Sequence, residues 1–569
     1  MPRRQIYTNP AAIMIAAGLA LSAALAIPAC QRESAAARTP AAITAPTTTP
    51  ALYAGFGGYH RTVSTDSAEA QQWFDQGLQL LYGFNHDEAI RSFQRAAEID
   101  PDLAMAHWGE AYALGLHINN PQMGEQQSEK AYAAAQRAME KIANASPVEA
   151  ALIRAVAARY AMPVPEDRTP LDEAYAAAME KVWNQYPNDA DVGALFAESL
   201  MNLQPWDLWE KDGTPKGRTL DVVATLERVL EINENHPGAN HFYIHTVEAS
   251  NEPQRGVASA DRLRTLVPGS GHLVHMPAHI YARVGRWAEA SDANVAAIKA
   301  DRAYFEKAPA PEFYALYFIH NIHFLSWSAM MEGRYETAMA AARELERDIP
   351  QSFLREWTFI ADGFMPVTYH AMIRFGKWED ILQEERPEDY RRLSLALWHY
   401  ARGIALANTQ RVSEARDELA AFEEVAATVP EDWVVGNSPA ADVLAVARHM
   451  LKGEIAFKAG NAEEAFTYLR RGVELEDQLS YDEPPDWMQP VRHALGALLL
   501  AEGRHEEAKA VYLEDLEKYP ENGWALLGLS KAMDAAGEDT AAVDARRAKV
   551  WARADVAPVA SCYCHPDAS

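Results

Sequence analysis

The chain has 569 residues, of which 49% are hydrophobic, so it can form several ordinary domains or one elongated repeat array. Its formal net charge is -28 at pH 7, and nucleic acids and anionic lipid surfaces repel so acidic a protein. The charge therefore excludes both as main partners and favours cationic ligands, metal ions or simple solubility.

The first 30 residues predict an exported protein. Arg3 and Arg4 precede an uncharged, largely apolar run at 11–29, the pattern of a secretory signal. The run ends at Cys30 in the stretch IPAC, which resembles a bacterial lipobox whose cysteine is lipidated after cleavage, although its proline departs from the usual pattern. Plain cleavage before Cys30 and an uncleaved anchor are the alternatives. We expect a periplasmic or envelope-anchored lipoprotein of a bacterium, with this anchor as its only membrane contact.

Composition then divides the rest of the chain into three parts. Residues 31–52 are rich in Ala, Thr and Pro and have almost no large apolar side chains, which is typical of a flexible tether. We predict a disordered linker over 31–64, helical repeats over 65–555 and a C-terminal tail over 556–569. From about residue 65 onward the apolar spacing predicts nearly continuous helix.

An internal repeat begins near residue 70. Small residues at repeat positions 8 and 20 allow two helices to cross closely, and bulky residues at positions 4 and 24 fill the gaps around them. Positions 4, 8, 20, 24, 27 and 32 hold Trp73, Gly77, Ala89, Phe93, Ala96 and Pro101. This pattern resembles the tetratricopeptide repeat (TPR), a helix–turn–helix of about 34 residues.

The turn of this unit returns along the chain. It is marked by Gly285, Gly333, Gly376, Gly460 and Gly503. We predict about ten repeats between residues 70 and 550. The TPR resemblance implies an all-α fold, a right-handed α-solenoid whose first helices line a concave groove for a protein or peptide partner. It does not imply catalysis.

A tryptophan-containing insertion interrupts the repeats at 197–213, AESLMNLQPWDLWEKDG. Trp206 and Trp209 are predicted either to fold over the groove as a lid or to pack on the convex side. Glu198 is a further candidate for the groove, as an available carboxylate.

Histidines are concentrated between residues 241 and 323. Separations of three, four and seven residues place side chains on one face of a helix. The residues are His241, His245, His272, His275, His279, His320 and His323, with Glu248 near the first two. Imidazole is the commonest protein metal ligand and also carries protons near neutral pH.

The repeat register places these histidines on the groove side of the central repeats, residues 237–335. Counting from the repeat prolines and alanines puts them at positions 2, 5 and 9, and puts Glu248 at position 12. In TPR proteins those positions face the groove. His370 falls at position 9 of a later repeat and joins them as a groove candidate. By contrast, His107, His399 and His449 fall at position 4, which is a packing position.

Clustered imidazoles favour a transition-metal site for zinc or copper. Glu248 is either a further ligand or a residue that orients a histidine. A peptide-binding adaptor without metal and purely structural histidines remain alternatives. A metallohydrolase is the least favoured interpretation, because no H-E-x-x-H helix or other hydrolase signature is present, so catalysis is open but unsupported by the sequence.

Several stretches of the central third also resemble an exported bacterial group of TPR proteins of unassigned function. They are GANHFYIHTVEAS, GHLVHMPAHIYARVGRW and HNIHFLSW, together with the insertion at 197–213. This resemblance adds no activity to the prediction.

The tail carries a second candidate metal site. Cys562, Cys564 and His565 offer two thiols and an imidazole within four residues, a set that can chelate a soft ion. The alternatives are a disulfide within the tail, or no role.

Overall fold

The computed structural model describes residues 50–56, 58–308 and 313–566. In these ranges consecutive helices pack in pairs, and the pairs stack into an all-α solenoid, as predicted. One short hairpin, β1 (Val434–Val435) and β2 (Ser438–Pro439), interrupts the helices. The predicted signal segment with Cys30 and residues 31–49 of the predicted linker lie outside the described residues.

The first part of the solenoid runs from residue 68 to residue 305. Its helices are α1 (Ala68–Tyr82), α2 (His86–Ile99), α3 (Ala104–Ala113), α4 (Glu125–Glu140), α5 (Pro147–Ala157), α6 (Thr169–Gln185), α7 (Ala190–Met201), α8 (Thr219–Ile232), α9 (Pro237–Val247), α10 (Val257–Leu266), α11 (Gly271–His275), α12 (Pro277–Arg283) and α13 (Trp287–Phe305). Pro277 has no backbone N–H to donate, which accounts for the break between α11 and α12.

The second part runs from residue 315 to residue 550. Its helices are α14 (Ala315–Met331), α15 (Tyr335–Asp348), α16 (Gln351–Glu356), α17 (Thr358–Ala361), α18 (Val367–Arg374), α19 (Trp378–Gln383), α20 (Arg392–Asn408), α21 (Val412–Ala426), α22 (Ala440–Lys458), α23 (Ala462–Glu476), α24 (Val491–Ala501), α25 (His505–Lys518), α26 (Gly523–Ala535) and α27 (Ala541–Val550). Short 3-10 turns lie at Ile142–Asn144 and Pro253–Gly256.

The close helix crossing predicted for the first repeat is present. A Cβ atom at Gly77 would lie 2.7 Å from Cε1 of Phe93, and one at Gly109 would lie 2.5 Å from Cδ1 of the same ring. Phe93 is completely buried. A single phenylalanine ring therefore joins α1, α2 and α3, and only glycine leaves room for it on both neighbouring helices.

The solenoid also curls back on itself. The Trp287 indole N–H donates a hydrogen bond to the Pro520 carbonyl at 2.9 Å, and Trp524 donates one to the Met330 carbonyl at 2.8 Å. Near the other end, α1 packs against α9. Both arms of the chain therefore contact the central repeats, and the concave side of those repeats becomes an interior.

The predicted boundary of the linker at residue 64 is wrong. Phe56 and Val63 are buried against the first repeats. Arg61 forms ion pairs with Asp189 at 2.8 Å and with Asp191 at 2.7 Å. Residues 50–56 and 58–64 thus belong to the folded unit, because they contain the large apolar and charged side chains that the preceding Ala/Thr/Pro stretch lacks.

Among the described residues, the helices are all too short or too polar to cross a membrane.

A buried carboxyl group in α22 makes folding sensitive to pH. Burial raises the pKa of Glu454 to about 7, although Lys458, with its ammonium 3.8 Å away, and the Asn408 amide both act to lower it. The folded protein therefore holds this proton more tightly than the unfolded chain, whose pKa is near 4.5. The stability associated with the proton is present below pH 4.5 and is lost as the pH rises to about 7.

We predict that Glu454→Gln becomes more stable than the parent protein as the pH rises from 5 to 8. The gain in free energy of unfolding at pH 8 should be on the order of 1–3 kcal/mol. Urea denaturation at both pH values measures it, and Glu464→Gln, at an exposed position in α23, is the control. An equal effect at both pH values would contradict this account of Glu454.

Candidate metal centre

Six of the candidate histidines form two groups of three. We call them the first triad (His241, His245 and His272) and the second triad (His275, His279 and His320). In each triad, one ring nitrogen of every member lies within 4.8 Å of the others. The rings come from α9, α11, α12 and α14, and the three- and four-residue spacings put them on facing sides of these helices.

All three members of the first triad are buried. Nε2 of His272 lies 3.1 Å from Nε2 of His241, and the ring centres of His241 and His245 are 4.8 Å apart. Nε2 of His245 is buried and has no hydrogen-bond partner. An orphaned buried nitrogen of this kind carries a desolvation cost that a bound cation would remove.

The second triad is tighter. Nε2 of His275 lies 2.8 Å from Nε2 of His279 and 3.0 Å from Nε2 of His320. His320 is the only one of the six that keeps partial exposure. Its ring therefore closes the triad on the side of the adjoining pocket.

Glu248 joins the two triads. One of its carboxylate oxygens accepts a hydrogen bond from Nδ1 of His245 at 2.8 Å, and the other accepts one from Nδ1 of His279 at 2.6 Å. Glu248 is completely buried. It hydrogen-bonds to the Nδ1 atoms of two rings and is not in either group of converging nitrogens. Residues that orient the ligands of a metal site are placed in this way.

Two more rings are held in the same way. Nδ1 of His241 lies 2.7 Å from the Tyr82 carbonyl oxygen, and Nδ1 of His275 lies 2.7 Å from Oδ1 of Asn294. The Asn294 amide N–H₂ donates to the Ala290 carbonyl, which fixes the orientation of that amide. Each Nδ1 therefore faces an oxygen that can only accept a hydrogen bond.

These contacts determine where the protons lie. A neutral imidazole has one N–H, and in His241, His245, His275 and His279 it is used at Nδ1. The Nε2 lone pairs then point inward, and those of His275 and His279 meet at 2.8 Å. Two lone pairs this close repel each other unless a proton or a metal ion lies between them.

Burial sets the charge of the rings. It lowers the pKa of His241, His272, His275 and His320 well below the ordinary value, and neighbouring histidines lower each of them further. In His279 burial acts the same way, but attraction to Glu248 outweighs it and raises the pKa. Burial also opposes the charge on Glu248, yet the two histidines lower its pKa to about 2. The centre thus combines mostly neutral imidazoles with one carboxylate.

A pocket of about 170 Å³ opens over both triads. His245, His272, His279 and His320 form part of its wall. The rest is mainly apolar and comes from distant parts of the chain, including Phe313, Leu316, Ile360, Phe364 and Val434. Asp482 also lines the pocket, and burial raises the pKa of its carboxyl group to about 6.

Two aromatic rings against the triads sit on strained backbone. Phe84 and Trp206 have φ angles of 56° and 59°, a left-handed conformation that bulky residues rarely adopt. The Phe84 ring centre lies 5.6 Å from that of His272, and the Trp206 ring centre lies 5.2 Å from that of His245. Strain of this kind persists where the surroundings fix the side chain, and it gathers at functional sites.

At this point the predicted concave groove is narrowed to a pocket. The triad histidines lie on the concave side, but they are buried, because the curled solenoid covers that side with residues from its two arms. Trp206 lies against His245 of the first triad, with ring centres 5.2 Å apart, and lines the same pocket. Trp209 is anchored beside it, and its indole N–H donates to the Thr246 carbonyl at 2.7 Å.

Three other candidates do not join the triads. His323 packs edge-on against Phe364, with ring centres 5.1 Å apart, and His370 packs against Trp487 at 5.0 Å. Glu198 accepts a hydrogen bond from the Tyr112 hydroxyl at 2.5 Å. His323 and Glu248, both predicted as metal ligands, lie outside the two groups of converging nitrogens.

The histidines assigned to packing positions are at the edge of the core. His107, His399 and His449 are half-buried. His399 pairs with Glu418 at 2.6 Å, and His449 lies against its own helix, with Nδ1 2.8 Å from the Ala445 carbonyl oxygen.

The tail does not form the predicted second metal site. Cys562 and Cys564 are joined as a disulfide, the alternative stated for this segment, so that neither sulfur is a free thiolate ligand beside His565. The tail instead packs on the later repeats, where Tyr563 covers the turn at Gly376. It lies outside both histidine triads.

Several residues of the centre were not among the sequence candidates. Asn294 and Asp482 carry no signal of their own in the sequence. Phe84 does, because it occupies the turn position that holds glycine in other repeats, such as Gly285 with φ of 76°. An aromatic residue at a position that favours glycine indicates that its ring is needed there.

Neither a protein-family model nor a curated protein matches the chain. Among solved structures, it is similar to a human IFIT1 dimer with m7Gppp-AAAA, at 12% identity over 86% of this chain and 91% of that chain, with a TM-score of 0.32. The APC/C hetero-tetramer Cut9-Hcn1 is 13% identical over 86% of this chain and 76% of that chain, with a TM-score of 0.31. Yeast Tom70 is 11% identical over 83% of this chain and 90% of that chain, with a TM-score of 0.28. Likenesses this low carry no conclusion about function.

Proposed function

We propose that the protein binds a transition metal, copper or zinc, through the clustered histidines of the two triads in the centre of its solenoid. The observation that carries this proposal is the direction of the ring nitrogens. Four of the six rings have their Nδ1–H held from outside by Tyr82, Glu248 or Asn294, so that the Nε2 lone pairs converge. Neutral imidazole in this orientation is the ligand form of histidine.

The composition of the triads supports a transition metal such as copper or zinc over magnesium or calcium. Imidazole nitrogen suits zinc, copper, nickel and iron, whereas magnesium and calcium need carboxylate, carbonyl or water oxygens. The converging atoms in both triads are imidazole nitrogens alone. Three nitrogens per ion also leave a coordination position free for a further ligand.

The burial of the triads weighs against the peptide-binding alternative at this place. An extended peptide needs an open groove, and the pocket over the histidines holds only about 170 Å³. Five of the six triad histidines are at most 5% exposed, so little of their surface is available to an extended peptide. A small ion with an additional small ligand fits the available space.

Metal uptake tests the proposal. Full-length protein is stripped with a chelator, titrated with copper or zinc, and analysed for bound metal by mass spectrometry and for melting temperature. We expect stoichiometric uptake and a rise in melting temperature, because a ligand that binds only the folded state stabilises it by about 4 kcal/mol at 1,000 times its Kd. Uptake by the parent protein that is absent, or not stoichiometric, would contradict the proposal.

The double variant His275→Ala with His279→Ala should lose about half of the bound metal or more, since one triad keeps only one ligand. His399→Ala with His449→Ala is the matched control, because it removes two histidines from later repeats outside the triads. Circular dichroism shows whether each variant is folded. Equal uptake by a folded double variant and by the control would contradict the assignment of the site.

We also propose that the protein is exported and anchored through Cys30, on the strength of the signal-like sequence before it. In cells that produce the full chain, Cys30→Ser should abolish incorporation of labelled fatty acid and release the protein from the membrane fraction. Fatty-acid labelling that is absent from the parent protein, or unchanged in the variant, would contradict the proposed anchor.

A further inference from the structure

We propose that the two triads hold a pair of copper ions side by side, and that dioxygen binds between them at the floor of the apolar pocket. This inference rests on the metal binding proposed above and goes beyond it in three respects. It specifies two ions, one metal and one small-molecule ligand.

The geometry favours two ions over one. The converging nitrogens form two separate groups, each compact enough for one ion at the usual distance of about 2.0–2.1 Å from its ligands. The triads are nevertheless neighbours. The ring centres of His245 and His279 are 5.9 Å apart, and those of His272 and His275 are 6.1 Å apart.

Glu248 fixes the spacing of the pair. Its two oxygens hold His245 of the first triad and His279 of the second, so that the triads cannot separate without breaking a buried charged contact. Loss of one partner from such a contact is costly, because it leaves a charge buried and unpaired. The protein therefore keeps two three-nitrogen sites at a constant distance.

Charge favours copper over zinc in this pair. Two zinc ions would bring four positive charges into a buried site that holds Glu248 on the rings and Asp482 in the pocket wall, whereas two Cu(I) ions bring two charges. The cost of burying an ion grows with the square of its charge, so the monovalent pair costs far less. Neutral imidazole also suits copper, and three ligands satisfy Cu(I).

The pocket favours dioxygen as the ligand of the pair. It opens on rings of both triads, and Phe313, Leu316, Ile360 and Phe364 make most of its surroundings apolar. Dioxygen is small and apolar, and it enters such a space without the loss of hydration that an ionic substrate would suffer. The Phe84 and Trp206 rings, held on strained backbone, pack against His272 and His245 of the first triad.

The binding step balances within the site. Each Cu(I) ion gives one electron to dioxygen, so that two Cu(II) ions form and the O=O double bond becomes the single bond of a peroxide dianion. The two copper ions hold that dianion between them. No proton and no further reductant enter the step, and loss of dioxygen reverses it.

Copper stoichiometry tests the pair. Anaerobic titration of the chelator-stripped, full-length protein with Cu(I) should load two ions per chain. His241→Gln in the first triad and His320→Gln in the second should each reduce the load by half, and His399→Gln should leave it at two. One ion per chain in the parent protein overturns the inference while the proposed function stands, whereas no uptake of copper or zinc overturns both.

Exposure of the loaded protein to air tests the ligand. We expect uptake of one dioxygen per two copper ions, an intense near-ultraviolet charge-transfer band, and no electron paramagnetic resonance signal, because the two Cu(II) spins couple. The single-triad variants should lose the band and, once oxidised, give the signal of isolated Cu(II). Two bound ions that take up no dioxygen, or that give an isolated Cu(II) signal in the parent protein, overturn the inference.

Discussion

Glu248 is the residue on which the centre depends, because its two oxygens hold one histidine from each triad. It ends α9 and reaches the ring of His279 on α12, so that one carboxylate joins two successive repeats. It is fully buried, and the two rings lower its pKa to about 2 against the effect of burial. A buried charge of this kind persists only with its partners in place, and that requirement fixes the rings as firmly as packing does.

Closure of the solenoid buries Glu248 and its histidines together. An open array of helix pairs would leave the concave histidines in water, where imidazoles are ordinary polar groups. Here the indole contacts of Trp287 and Trp524 bring the later repeats onto the central ones, and α1 packs on α9 from the other side. Burial then lowers the pKa of most of the rings, and the oxygens at their Nδ1 atoms direct the Nε2 nitrogens toward one another.

The helical class, the repeat and the face of the histidines could be predicted from sequence, because all three depend on local periodicity. The closure of the solenoid could not be predicted from sequence, because it depends on contacts between residues more than 190 positions apart, such as Trp524 with Met330. His320 and His323 show how far helical spacing can predict a site within one helix. At about 100° per residue, three positions turn the side chain by about 300°, so His323 faces Phe364 and leaves the triad to His320. An orienting role for Glu248 was among the alternatives, and its hydrogen bonds from His245 and His279, which the sequence does not reveal, favour it.

Anomalous diffraction from crystals of the copper-loaded protein tests the central claim most directly, since it locates the ions without any assumption about their ligands. The account predicts strong peaks at the copper edge inside the histidine cluster, one within each triad, at bonding distance from the Nε2 atoms. Copper bound elsewhere, with the cluster empty and its rings unchanged, would contradict it.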